Sequence, residues 1–126
     1  MTDTVTLSFP ARTQNVSLAR TVTAAMAARA DLPLDQLEDV RLAVDEAVSQ
    51  LIADAPPATE ITCTFRVVDA GLDIVVTAPS SSGRVPPTGT FSWTVLTALV
   101  DSVTATVDDG TVTLDLHVTR SIPVDV

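Results

Sequence analysis

Glu46 and Gln50, in the stretch LEDVRLAVDEAVSQ, stand four residues apart, which places a carboxylate and a carboxamide on one helical face with Asp39 and Ala43. A carboxylate in that position, beside a buried stripe, would meet the rim of a pocket and could serve as an acid or base. Spacing alone is equally met by a solvated helix face, which is the plainer reading. Asp45 and Arg41, also four apart, are expected to form an exposed pair of small energetic weight. His117 and Asp115 share one face of a strand, a pattern compatible with a proton relay or a metal ligand. His117 is the single histidine, however, and without a second His or Cys nearby it makes a poor metal site, so none is expected. Ser80, Ser81 and Ser82 lack the G-x-S-x-G surroundings of a nucleophile and read as loop. Cys63 alternates with Ile61 and Phe65 and reads as a small buried hydrophobe.

The elements that must position these residues follow from periodicity. Val5, Leu7 and Phe9 alternate with polar neighbours over Thr4 to Phe9, as a half-buried strand should, and Pro10 ends it. Asn15 or Ser17 can cap a first helix over residues 15–30, with Leu18, Val22, Ala25, Met26 and Arg29 at helical spacing. Leu34, Leu37, Val40, Val44, Val48 and Leu51 form the apolar stripe of a second, longest helix, with Pro33 in its first turn. After Pro56 and Pro57 the period changes from 3.6 to 2. Ile61, Cys63, Phe65 and Val67, a turn at Asp69 to Gly71, then Leu72, Ile74 and Val76 make an antiparallel hairpin. A Ser-, Pro- and Gly-rich loop from Pro79 to Thr90 leads to a short third helix carrying Phe91, Val95, Leu96, Leu99 and Val100. Two last strands follow, joined at Asp108, Asp109 and Gly110.

The order βααββαββ predicts a two-layer α/β sandwich, a mostly antiparallel sheet with its helices on one face. The other face carries Thr62, Thr64, Arg66, Thr111, Thr113, Asp115, His117 and Thr119, consistent with a solvated or partner-facing sheet. At 126 residues, residues 1–126 are the size of one domain, and 46% hydrophobic residues are enough for a core, which excludes intrinsic disorder. Sixteen acidic residues against seven arginines and no lysine give a net charge of −9. Such a surface repels a phosphate backbone, so no direct nucleic-acid partner is expected, whereas a basic protein would be attracted. The same excess also serves solubility. No apolar run is long enough for a membrane span, the MTDTVTLSFP start lacks signal-peptide character, and one cysteine cannot form an internal disulfide. A cytoplasmic protein is the expectation.

VRLAVDEAVSQLI resembles the first conserved box of the histidine-kinase-like (GHKL, Bergerat) ATPase fold, in particular of the anti-sigma serine kinases RsbW and SpoIIAB, whose pattern is apolar-x-x-E-A-x-x-N. VTLSFPARTQNVSLAR is similar to the start of the same family, and FSWTVLTALVDSV to its actinobacterial anti-sigma-F (UsfX/RsbW) subgroup. The resemblance runs along the whole chain in matching element order. It implies that Glu46 stands where the family keeps a general base, that Gln50 stands where a magnesium-holding asparagine belongs, and that Arg20 matches an arginine on the surface shared by sigma factor and anti-anti-sigma protein.

Three departures accompany the match. Gln50 is one methylene longer than asparagine, which weakens a magnesium site that demands near-octahedral geometry. The family's D-x-G-x-G box is replaced by VVTAPSSSG, in which Pro79 removes an amide donor and only Gly83 could stand in for a phosphate-approaching glycine. Phe91, Ser92 and Trp93 occupy the place of the lid glycines, where the aromatic rings are expected to fill space. Trp93 could plug the former pocket or anchor a partner. The resemblance thus implies an anti-sigma factor that sequesters an alternative sigma factor of the sigma-F or sigma-B type. It would be countered by a STAS-type anti-anti-sigma protein, form a homodimer, and keep only a degenerate nucleotide site with no cofactor. The alternative is an active serine kinase that uses ATP and magnesium to phosphorylate the anti-anti-sigma protein.

Overall fold

The computed structural model describes residues 3–121. β1 (Asp3–Pro10) leads through a 3-10 turn at Thr13–Asn15 into α1 (Val16–Arg29) and α2 (Leu34–Ala53). There follow β2 (Glu60–Val68), β3 (Gly71–Pro79), α3 (Phe91–Leu99), β4 (Ser102–Asp108) and β5 (Thr111–Thr119). The strands form one sheet in the order β1-β2-β3-β5-β4, and every neighbouring pair is antiparallel. The α3 connection therefore carries the chain across the sheet, and β5 returns between β3 and β4.

The register assembles the core in rows. Val5, Phe65, Ile74, Leu116 and Val103 lie opposite one another across all five strands, and Leu7, Cys63, Val76, Leu114 and Ala105 form the next apolar row. These rows meet Val40, Ala43, Val44, Ala47, Val48 and Leu51 of α2, all buried, and Met26 and Ala27 of α1. Rows on the opposite face are polar: Ser8, Thr62, Thr77, Thr113 and Thr106 in one, Thr4, Arg66, Asp73, His117 and Ser102 in another. The two-layer sandwich with helices on one face is thus observed. Burial pushes the Cys63 thiol up to about 12, so it is a core group without nucleophilic character.

Local backbone chemistry sets the connections. The β4–β5 hairpin turns on Asp109 and Gly110, both at positive φ, the twist-matched arrangement that favours glycine at the second position. At Gly71 the limit is space, because a Cβ there would sit 1.9 Å from the Val118 carbonyl oxygen. Among the described residues no helix is long and apolar enough to cross a membrane.

The helical faces differ in part from the expected ones. In α1 the buried side is Val16, Ala19, Thr23, Met26 and Ala27, while Leu18 is 48% exposed and Ala25 faces out. Thr23 is accommodated because its hydroxyl donates to the Ala19 carbonyl at 2.6 Å, which removes the penalty of burying it. Asn15 sits at the N-cap of α1, but its side chain does not cap the helix; Nδ2 instead donates to the Pro10 carbonyl at 2.9 Å. Leu34, expected in the apolar stripe of α2, is 71% exposed at the helix start, and Pro33 is the N-cap.

Candidate functional site

α2 builds the site. Glu46, Gln50 and Asp54 follow one another at four-residue steps, the last at the C-cap, and so form a polar ridge along one side of the helix beside its buried stripe. α3 meets this ridge at its first turn, where the Ser92 hydroxyl donates to Glu46 Oε1 and accepts from Gln50 Nε2. Thr90 begins α3 as a true cap, its hydroxyl accepting the Trp93 amide at 3.1 Å. At the other end of the ridge, Asp54 accepts hydrogen bonds from the Ser80 hydroxyl, the Ser82 amide at 3.1 Å and the Ser82 hydroxyl at 2.8 Å. The Asp54 carbonyl also accepts the Ser81 amide at 2.7 Å.

Between these attachments lies a cavity of about 280 Å³. Leu51, Val85, Pro86, Pro87 and Val112 give it an apolar wall, and Gln50, Asp54, Arg84, Thr90 and Ser92 supply its polar rim. Its size falls just below the roughly 300–1,000 Å³ typical of small-molecule sites. Phe91 and Trp93 do not line it, which corrects the expectation that the aromatics plug this space. Phe91 is 84% exposed, and Trp93 turns to pack half-buried against the core. A nine-residue helix with Leu96 as its one buried residue has too narrow an inner face to turn all its large side chains inward. Gly83 has φ +68 with open space around it, and its amide donates to Ser80 Oγ at 3.0 Å; it lies outside the cavity wall.

The Ser80 hydroxyl holds the Asp54 carboxyl below its ordinary value; partial burial opposes this, and the Ser82 hydroxyl and amide reinforce it. A depressed folded-state value means that the carboxylate stabilises the fold above the unfolded-state value, and that this contribution is lost as pH falls through the lower folded value. Acidification below about pH 4 should therefore release the serine loop. Amide exchange of residues 80–84, compared with Asp54→Asn over the same range, will show an acid-dependent rise only in the unsubstituted protein.

Arg20 stands on the outer side of α1, where its guanidinium pairs with Asp45 of α2 at 3.3 Å. Arg41 pairs with Glu38 at 3.2 Å, so the expected Arg41–Asp45 pair is not formed. Packing of α1 on α2 brings Arg20 within reach of Asp45, while Arg41 finds a partner one turn back. Arg20 and Arg41 share a shallow hollow with Ser17 and Thr21. His117 also has another partner than expected: Nδ1 contacts the carboxylate of Asp73, its cross-strand neighbour, and Nε2 contacts Thr119 Oγ1 at 3.1 Å. Asp73 is shared with Arg66 at 3.3 Å. Among the described residues no three His, Cys, Asp or Glu side chains gather as a metal-binding group.

Ser92 and Asp54 are the residues that the sequence did not single out for these contacts. The only available signal was the i, i+4, i+8 repeat of Glu46, Gln50 and Asp54, and it runs past the expected end of the helical stripe.

Residues 9–116 match the model of the histidine kinase-like ATPase domain. The chain belongs to this family. Within the histidine kinase-like ATPase family it is similar to the anti-sigma-F factor RsbW of Mycobacterium tuberculosis, 43% identical over 110 residues, covering 84% of this chain and 62% of that protein. It is also similar to the serine-protein kinase RsbW of Listeria monocytogenes, 31% identical over 85 residues, 65% of this chain and 54% of that protein. The matched region thus spans between about half and three fifths of these relatives' length, 54% and 62%. The crystal structure of the RsbU and RsbW domains of a Mycobacterium tuberculosis protein superposes with a TM-score of 0.73 at 14% identity, covering 96% of this chain and 35% of that one. That likeness is one of fold.

Proposed function

We propose that this chain is an anti-sigma factor, which binds an alternative sigma factor of the sigma-F or sigma-B type and yields it to a STAS-type anti-anti-sigma protein. The observation that carries the reading is the 43% identity with the mycobacterial anti-sigma-F factor over 84% of the chain. The net charge of −9 supports it, since an acidic surface favours a basic partner, with Arg20 on the outer face of α1 and Trp93 as the contacts that give specificity. We read the working form as a homodimer in the cytoplasm, without direct contact to nucleic acid or membrane.

We further infer that the nucleotide site is degenerate. Glu46 and Gln50, at the family's base and magnesium-holding positions, are committed to Ser92. The cavity wall is apolar, and Pro79, Pro86 and Pro87 provide no amide to cradle a phosphate. These residues do not fit a magnesium–triphosphate group, in which oxygen ligands must close an octahedron. The competing reading is a serine kinase that phosphorylates the anti-anti-sigma protein with ATP and magnesium. It is favoured by the retained carboxylate of Glu46 and by the likeness to the listerial serine-protein kinase.

Mixing the purified protein with the sigma factor of its own organism should yield a complex by size-exclusion chromatography at physiological salt; separate elution of the two proteins would remove the anti-sigma reading. Calorimetry with ATP and Mg²⁺ should show no binding in the micromolar range. Micromolar binding together with phosphate transfer that Glu46→Ala abolishes would establish the kinase instead.

A further inference from the structure

The loop between β3 and α3 is attached to α2 at both ends and almost nowhere between. Residues 81–85 and 87–91 are exposed, and the polar contacts within 83–89 are local, from the Gly83 and Arg84 amides to Ser80 and Ser82 hydroxyls at 3.0 and 3.2 Å. One attachment is Asp54 with Ser80 and Ser82; the other is the Glu46–Ser92–Gln50 chain. Both use the same ridge of α2, at four-residue steps. The apolar anchorage of α3 comes from Leu96, its one fully buried residue, with Trp93 and Leu99 partly buried against the core, while Phe91 at its first turn points outward. A hydroxyl that links two α2 side chains to its first turn fastens the end of this helix where Phe91 gives no apolar contact.

Gln50 and Ser92 are complementary. An asparagine at position 50 would end about 1.5 Å short, one carbon–carbon bond, and a glycine at 92 would offer no oxygen.

We propose that Ser92, received by Glu46 and Gln50, is a built-in strut that fastens the loop and α3 to α2 without a nucleotide, so that the rim of the cavity is positioned by side chains alone. Ser92 is then a positioning residue, and the surface formed by α2, the loop and α3 is set without a ligand. The proposal rests on the degenerate-site reading above, but it concerns the isolated chain and needs no partner.

Hydrogen exchange followed by mass spectrometry on the full chain tests it, with and without ATP and Mg²⁺. In the unsubstituted protein the amides of residues 94–99 should be protected without nucleotide, and added Mg²⁺-ATP should leave them unchanged. Ser92→Ala should raise their exchange about tenfold, Gln50→Asn should raise it in the same direction, and Ser92→Thr, which keeps the hydroxyl, should stay near the parent. Protection that appears only with Mg²⁺-ATP, or Ser92→Ala and Gln50→Asn indistinguishable from the parent, would overturn the strut. If Ser92→Ala also exposes β3 and β5, the comparison of Gln50→Asn with Ser92→Thr decides. Sigma-factor capture is measured separately, so loss of the strut and loss of the anti-sigma reading give different results.

Discussion

On the proposed anti-sigma reading, with Arg20 as a contact residue, Arg20→Glu will weaken binding to the sigma factor by roughly 30- to 1,000-fold, about 2 to 4 kcal/mol, the range of a residue central to an interface. Arg20 is half-exposed on α1 and is held toward the hollow it shares with Arg41, Ser17 and Thr21 by its 3.3 Å pair with Asp45. Reversing its charge removes the donor fork and sets a second carboxylate against Asp45, leaving Arg41 as the remaining cation of the hollow. Stability should change little, because an exposed pair contributes at most about 1 kcal/mol. Isothermal titration calorimetry against the sigma factor, with a urea melt as control, measures both. An unchanged dissociation constant would move the partner surface away from α1.

The largest expected loss of stability belongs to Phe65→Ala, at about 3 to 5 kcal/mol. Phe65 is fully buried at the centre of β2, in the row from Val5 through Ile74 and Leu116 to Val103. Removing the ring leaves a cavity walled by strands on both sides and helices above, which a hydrogen-bonded sheet cannot collapse to fill. For a domain whose total stability is on the order of 5 to 15 kcal/mol, this is a substantial fraction. The urea midpoint should fall with the slope unchanged, and the melting temperature should drop by roughly 10 to 20 °C. A shift under 1 kcal/mol would contradict the packing of this row.

The strands were legible because their period is short and their contrast high: Ile61, Cys63 and Phe65 alternate with Thr62, Thr64 and Arg66, and only one register buries the apolar set. α1 was harder. With Ala and Thr at so many positions its apolar contrast is low, and the buried face runs through Val16, Ala19, Thr23 and Met26 while Leu18 points to solvent. Polar pairings failed for a related reason. Asp115 lies two residues from His117 along its strand, but Asp73 is its directly opposed neighbour, and cross-strand pairs stand closer than same-strand ones. Asp45 had an arginine available at four-residue spacing and took one from another helix.

The amino-acid order alone determined the succession of elements, the layered architecture, the burial of Cys63 and the place of Glu46 beside the core, since each follows from periodicity over a few residues. The tertiary structure alone decided which polar groups meet: Ser92 with Glu46 and Gln50, Ser80 and Ser82 with Asp54, Asp73 with His117. The physical reason is range. Apolar burial depends on a residue's own pattern, whereas a hydrogen bond needs two atoms within about 3 Å, and partners tens of residues apart come that close only when the whole chain has packed.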